Sequence, residues 1–230
     1  MKIIFTWLRK LPLILSKVQT RWRLSRFVNY ELDRVEPGSR LLSIGSGGEF
    51  GELARQYARR KQFEIIELDI DPNREPDIVA DICDMNLSET FDVVLVIEVL
   101  EHVLQPKSAI ENLHEILNSG GRLIGSTPFI FPLHDEPNDH FRYTRHQILY
   151  LLSTFNNVNI LERGGLFETI CVLLSRSSRS DNKLLTFISL PISVISFLLW
   201  PLALVLDYLL PTRFAPHGYV FTADKSEDEK

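Results

Sequence analysis

Cysteine is scarce in this sequence. Its only two, Cys83 and Cys171, lie far apart and form no C-x-x-C pair, which argues against a disulfide framework or a zinc site and suits a reducing compartment. No metal is expected. An excess of positive charge is also missing: the net charge of -5 speaks against nucleic acid as the main partner. No internal repeat is visible. Hydrophobic residues at 45% and charged residues at 24% leave no room for wholesale disorder, collagen or a continuous coiled coil. At 230 residues the chain fits one domain plus appendages, large enough to bury a sizeable core.

Two local absences carry more information. Residues 1–30 have no Asp or Glu but hold Lys2, Arg9, Lys10, Lys17, Arg21, Arg23 and Arg26. That leaves 18 of the 25 basic residues against all 30 acidic ones in the rest of the chain, a net of -12. With Trp7, Leu8, Leu11, Leu13, Ile14, Leu15 and Trp22 among them, these residues read as an amphipathic segment able to lie on an anionic membrane. The alternative is a helix packed on its own domain with its basic face in water. A signal peptide fits poorly, since Arg9 and Lys10 interrupt the apolar run and no small-residue cleavage site follows.

The second absence is charge between Leu184 and Leu206, 23 residues with none. That length suits a membrane span, but Pro191 and Pro201 divide it, and a strand expected at 219–223 would have to return to the sheet. A re-entrant or in-plane helical hairpin is the expectation for 176–215, with protein–protein packing (a homodimer included), internal packing, or a true span with a different sheet as the alternatives. The membrane contact is assigned to 1–26 and 184–210, at the inner face of a membrane on the cytoplasmic side.

Between these segments strand-like and helix-like stretches alternate, the pattern of an α/β domain with a mainly parallel sheet. Strands are expected at 40–44, 63–70, 77–80, 91–97, 122–126, 158–163 and 219–223. Helices are expected at 52–60, 104–117 and 147–155, with Ser119-Gly120-Gly121 as a glycine C-cap. The tail 225–230 reads as disordered.

The first strand runs into Gly45-Ser46-Gly47-Gly48 ahead of a helix, a turn that lets backbone approach a ligand and offers free N–H groups. Gly45, Gly47 and Gly51 fit G-x-G-x-x-x-G. Asp69 ends the second strand 24 residues after Gly45, where a carboxylate can accept from both ribose hydroxyls. A dinucleotide-dependent dehydrogenase shares these features, but the Tyr57/Lys61 pair falls on the first helix, away from any substrate.

Asp81-Ile82 after the third strand and Glu98-Val99-Leu100-Glu101-His102 after the fourth break this tie. From Leu41 to Gly125 the chain resembles class I S-adenosylmethionine (SAM)-dependent methyltransferases of the broad type 11 branch. The stretch from Pro128 to Thr144, PFIFPLHDEPNDHFRYT, is similar to the HEPHDYFRYT-type signature of a narrower subgroup, often associated with glycan or small polar acceptors. The resemblance implies a Rossmann-like, doubly wound sheet at 31–175 plus 216–224, with an apolar helical insertion before the last strand. It implies SAM as cofactor, with Gly45, Ser46 and Gly47 passing its methionine part and Asp69 holding the ribose. Ile70 would pack on adenine, Asp81 accept from its amino group and Ile82 line the ring, while Ile97 and Glu98 flank the sulfonium. This chain has Ser43 where the family usually has an acidic residue, and Glu49 where it often has glycine.

Acceptor-side candidates follow the fifth strand. His134 and His140 can each take a hydroxyl proton near neutral pH, Asp139 can orient a histidine, and Arg142 can hold an anionic acceptor. The structural alternative makes Asp139, Arg142 and Tyr143 a plug that orders the loop. The function expected is methyl transfer, to a hydroxyl of a glycan, lipid-linked or other amphiphilic acceptor. The competing reading is a non-catalytic methyltransferase-like module that scaffolds a membrane complex.

Overall fold

The computed structural model describes residues 2–45, 47–176 and 183–227, with side chains described at 11–45, 47–176 and 189–227. The order is α1 (Lys2–Asp33), β1 (Arg40–Ile44), α2 (Glu49–Lys61), β2 (Glu64–Asp69), β3 (Ile78–Val79), β4 (Phe91–Ile97), α3 (Pro106–Glu115), β5 (Leu117–Pro128), α4 (Arg145–Leu151), β6 (Asn156–Arg163), α5 (Leu166–Arg176), α6 (Lys183–Leu209) and β7 (Gly218–Asp224). The seven strands form one sheet in the order β3-β2-β1-β4-β5-β7-β6. Strands β1 to β5 pair in parallel. β7 runs antiparallel to β5, with Lys225 N bonded to Gly121 O at one end and Phe129 N to His217 O at the other. The mixed, mainly parallel α/β sheet expected from the sequence is present, and its order reverses between β1 and β4, the switch point at which open sheets of this kind bind ligands.

Two compact units make up the chain: residues 25–128, 135–161 and 219–230 in one, and 1–24, 129–134 and 162–218 in the other. The first holds most of the sheet. Phe91, Val94 and Val96 of β4 are wholly buried, as the uninterrupted apolar run FDVVLVI requires of a central strand. Glu49 and Glu52 in the first turn of α2, and Arg59, Arg60 and Lys61 in its last, match the helix dipole. Pro106 opens α3, and Thr144 caps α4 by accepting from Gln147 N at 3.2 Å.

The glycines at 120 and 121 do not cap a helix. α3 ends at Glu115, and β5 begins two residues later. Register passes from Phe91↔Leu117 to Val93↔Arg122, so residues 118–121 form a bulge. Gly120 takes φ +75° there, and Asn118 Nδ2 donates to Asp92 Oδ1 at 2.7 Å. Lys225 N and Ser226 O bond to this bulge, so the first residues of the expected tail have fixed partners; 228–230 lie outside the described residues.

The second unit is helical. α5 runs antiparallel to α6: Ser193 Oγ donates to Ser175 O at 3.0 Å and Ser196 Oγ to Cys171 O at 2.7 Å. Asp207 near the end of α6 accepts from the N-terminal amides of α5, Phe167 N at 3.0 Å and Glu168 N at 2.8 Å. The hairpin is therefore made by α5 with α6, and Pro191 and Pro201 lie inside one continuous helix. Contacts with α5 along its length hold α6 together where each proline removes a backbone bond. The residues joining α5 to α6, 177–182, lie outside the described residues. Residues 2–24 of α1 belong to this unit, and there Trp22 and Arg23 turn inward, donating to Glu168 at 3.0 and 2.9 Å. Trp22 also meets the Trp200 ring edge-on at 5.9 Å. Leu11, Leu13, Ile14, Lys17 and Val18 remain exposed.

Candidate active site

The glycine turn closes β1. Gly45 has φ +71°, bonds Leu68 O at 2.9 Å, and a Cβ there would lie 2.7 Å from Val99 Cγ2, so only glycine fits. A Cβ on Gly47 would lie 2.6 Å from the Arg74 guanidinium. Gly48 precedes α2 with φ +94° and gives it no side-chain cap. Glu49 is exposed at the start of α2 and Ser43 is buried in β1. Ser46 lies outside the described residues.

Asp69 is buried at the end of β2. Its Oδ1 accepts from Asp71 N at 3.0 Å and its Oδ2 from Arg74 at 3.3 Å. Carboxylate oxygens carry further lone pairs, so both can still accept from hydroxyls. Ile70 beside it is 65% exposed, an apolar surface at the crevice able to meet a flat ring. Asp81 Oδ1 accepts from Cys83 N at 2.8 Å, and buried Ile82 is fixed through its carbonyl by Asn112 Nδ2 at 2.9 Å.

At the end of β4, Ile97 is nearly buried and Glu98 adopts φ +54°. A non-glycine residue in the left-handed region at a strand end is strained, and here it is clasped. Ser126 Oγ accepts from Glu98 N at 3.1 Å and donates to Glu98 Oε1 at 2.8 Å. Ser126 was not singled out from the sequence; its place beside Glu98 across the β4–β5 pairing is what the sequence does not show.

The loop after β5 is ordered from inside. His140 N and Phe141 N both donate to Glu101 O, at 2.9 and 3.1 Å, and Tyr143 OH donates to Leu100 O at 2.8 Å. Burial pushes the Tyr143 phenol well above its usual range, so it remains a donor. Arg142 grips Asp139 with two nitrogen–oxygen bonds of 2.5 and 2.6 Å. Asp139, Arg142 and Tyr143 thus form the loop-ordering arrangement, with Arg142's guanidinium on Asp139. His140 is exposed, and half-buried His134 belongs to the helical unit with its ring edge-on to Phe131. The histidine with the best-defined protonation geometry is His102. Its Nδ1 lies 2.7 Å from Asn138 O; a carbonyl only accepts, so Nδ1 carries the proton and Nε2 is the basic nitrogen, 3.9 Å from the buried Glu101 carboxylate.

In the helical unit, reading the sequence missed a buried polar group set. Arg163, Glu168 and His217 are all buried, flanked in sequence by Gly164-Gly165 and Gly218, the one signal that could have marked them. Burial, with the charges of Arg163, Arg23 and Arg176, holds the His217 imidazole well below its usual range, while burial raises Glu168 against the opposing pull of Arg23. A histidine with a depressed folded value stabilises above about pH 6.5 and loses that contribution as pH falls toward the folded value. Raised carboxyls such as Glu168 act in the opposite sense, losing stability as pH rises. The difference in unfolding free energy between wild type and His217→Gln should therefore change below pH 6.5 by up to about 1.4 kcal/mol per pH unit. Urea titrations of both proteins at pH 5.5, 6.5 and 7.5 read it; a pH-independent difference would mean His217 is solvated and ionised in the fold.

Comparison with known proteins agrees with this fold. Residues 15–166 match the family model of a methyltransferase domain, about two thirds of the chain, and the protein belongs to that family. No curated protein sequence matches. Among solved structures, a Haemonchus contortus phosphoethanolamine N-methyltransferase 2, in complex with phosphomonomethylethanolamine and S-adenosylhomocysteine, superposes with TM-score 0.58 at 17% identity, over 90% of this chain and 53% of that one. The chain thus spans about half the length of that enzyme. A SAM-dependent methyltransferase from Archaeoglobus fulgidus gives 0.57 at 18% identity, over 89% and 94% of the two chains. A sarcosine dimethylglycine methyltransferase homologue from Galdieria sulphuraria gives 0.61 at 13%, over 89% and 86%. The fold is that of the class I methyltransferases.

Proposed function

We propose that this chain is a SAM-dependent methyltransferase acting on a hydroxyl of an amphiphilic acceptor at a membrane surface. The observation that carries the cofactor reading is the cradle at the switch point: a glycine turn a Cβ would fill, buried Asp69 with lone pairs to spare, and Glu98 held in a strained conformation by Ser126. Gly45, Gly47, Asp69, Ile70, Asp81, Ile82, Ile97 and Glu98 would hold the cofactor, which supplies a methyl already activated on sulfonium. What remains for the protein is to align an acceptor and receive its proton. His102 Nε2, His134 and His140 are the candidate bases, and the tautomer of His102 is set by a backbone carbonyl. Isothermal titration with S-adenosylhomocysteine tests this reading. Micromolar binding supports it, and no binding by a folded sample would leave a methyltransferase-like scaffold module in its place.

Support for the membrane surface comes from α6. Ser189–Leu209 is long and apolar enough to cross a bilayer by length and composition, and Ile195, Leu198, Leu199, Leu202 and Val205 are each about half exposed or more. β6 and β7 are neighbours in one sheet, and α5 has 11 residues, too few to span. A lone crossing by α6 would part those strands, so contact along the bilayer plane is the arrangement the topology allows. Replacing Ile195, Leu198, Leu202 and Val205 together by Gln should move the protein from the membrane pellet to the supernatant, by tenfold or more. Unchanged partition of a folded quadruple variant would remove α6 as the anchor.

A further inference from the structure

The end of the sheet opposite the cofactor crevice carries a separate cleft, of about 420 Å³. Its walls are the last turn of α1, the first residues of β4 and β6, the β5 bulge and the residues that follow β7. All of it lies in the sheet unit. β4 passes the cleft at Asp92 and delivers Glu98 just beyond its other end. Extended chain covers roughly 20 Å between those two residues, so a molecule bound here is neither the methyl donor nor its acceptor.

Charge decides what the cleft can hold. The carboxylates of Glu31, Glu36, Asp92, Asp224 and Glu227 line it against three cations, Arg34, Arg122 and Lys225, a surplus of two negative charges. Two of the carboxylates are already served. Asp92 accepts from Arg40 N at 2.8 Å and Asn118 Nδ2 at 2.7 Å, and Asp224 accepts from Arg122 Nε at 2.8 Å. Two of the cations are turned to other partners: Lys225 Nζ donates to Leu117 O at 2.7 Å, and Arg34 Nη1 to Tyr30 OH at 2.6 Å.

Glu31 is different. It is 8% exposed, and its Oε2 has no hydrogen-bond partner. Arg122 Nη1 stands 3.6 Å from that oxygen, an ion pair too long for a hydrogen bond, while Nε and Nη2 of the same guanidinium are on Asp224. Burial raises the Glu31 carboxyl although Arg122 and Arg34 pull it down, the behaviour of a desolvated acceptor short of donors. A buried carboxylate oxygen in the wall of an open cleft calls for an N–H or O–H from a ligand. Glu36 and Glu227 are exposed and add charge nearer the solvent. A metal ion needs several oxygens converging on one point, and among the described residues no three of these carboxylates come together in that way. Carboxylates at different depths suit an extended cation with N–H donors at both ends.

We propose that this cleft binds a small organic dication, an alkyl diamine with one ammonium on Glu31 and the other toward Glu36 and Glu227. The first ammonium supplies the donor that Glu31 Oε2 lacks, in a charge-assisted bond. The two positive charges match the surplus on the walls, and the volume admits a short methylene chain with water around it. The site goes beyond the methyltransferase reading and does not rest on it.

The test titrates the full chain by calorimetry, at fixed ionic strength, with 1,4-diaminobutane. n-Butylamine serves as the monocation, 1,4-butanediol as the neutral chain and magnesium chloride as an inorganic dication. The expected result is saturable binding of the diamine, at least tenfold tighter than of n-butylamine or magnesium and absent for the diol. Saturating S-adenosylhomocysteine should leave the diamine affinity unchanged. Glu31→Gln should weaken diamine binding tenfold or more, the loss of one bond to a charged acceptor, with S-adenosylhomocysteine binding as in wild type. Magnesium or n-butylamine bound as tightly as the diamine would overturn the diamine. Competition with S-adenosylhomocysteine would move the diamine to the cofactor crevice and overturn the cleft. No saturable binding by a folded protein, or affinity unchanged in Glu31→Gln, would overturn it as well. Failure of S-adenosylhomocysteine alone to bind counts against the methyltransferase reading, since the diamine titration is read by itself. If Glu31→Gln does not fold, the double variant Glu36→Gln with Glu227→Gln and the rise in wild-type Tm with diamine over n-butylamine decide the matter.

Discussion

Replacing Asp69 by alanine should cost at least a hundredfold in affinity for S-adenosylhomocysteine while the protein stays folded. Asp69 is the buried carboxylate at the end of β2, fixed by Asp71 N on one oxygen and by Arg74 on the other. Two ribose hydroxyls donating to an ionised acceptor contribute about 1.5–3 kcal/mol each, so their joint loss is roughly 3 kcal/mol or more, above a hundredfold in Kd. The substitution also leaves Asp71 N without its acceptor and Arg74 without its ion pair, so a modest fall in Tm accompanies it. Arg74 is half exposed and rehydrates at little cost. Asp69→Asn keeps an acceptor and loses the charge, and should fall between wild type and alanine. Calorimetry and a melting curve on each variant make the check. Undiminished binding by folded Asp69→Ala would place the ribose elsewhere and undo the cofactor assignment built on this strand end.

The part of this site that could be read from the sequence is the part whose chemistry is local. Gly45 and Gly47 announce a turn, and at Gly45 only glycine tolerates the φ and the close approach of Val99. Asp69 ends one expected strand and Asp81 follows another. What could not be read depends on neighbours far along the chain. Ser126 clasps Glu98 because β5 lies beside β4 with Ile97 opposite Ser126, and nothing near Glu98 in sequence predicts that. Arg142 had two readings of equal merit until its distance to Asp139 showed which carboxylate it meets. His102 gained a defined tautomer only when Asn138 O, 36 residues away, came within 2.7 Å.

The same division holds for the fold. Strand positions followed from apolar runs between turns, and the observed bounds differ from them mostly by a residue or two. Two expectations went astray for one shared reason, that local signals were read without the partner that overrides them. Gly120-Gly121 terminates helices elsewhere, but here the paired strands on both sides draw it into a β5 bulge. Pro191 and Pro201 break helices in isolation, but the serine-lined contact with α5 and the Asp207 bonds to the α5 amides hold α6 as one element.

Gly125 shows how far such a partner can go, and it gives the second large effect. It lies in β5, and the ring of Phe221 on the adjacent β7 fills the space a side chain would take; even the ring's Cε1 would be 2.9 Å from a Cβ there. Phe221 is 1% exposed, so the ring has no surface to retreat to. Phe221→Ala should cost about 3–5 kcal/mol, the usual loss for emptying a buried aromatic site. Gly125→Ala should cost about 1–3 kcal/mol, because a packed interior has to shift to admit the methyl group. The pair should not add. With the ring removed the methyl group enters the vacated space, so Gly125→Ala in the Phe221→Ala background should be neutral or stabilising. A coupling of about 1–3 kcal/mol is the expected result. Urea unfolding of the four proteins closes the cycle. Additive losses within about 0.5 kcal/mol would show that ring and glycine do not share this space in solution. The placement of β7 between β5 and β6, on which the two β5–β7 hydrogen bonds also bear, would then need revision.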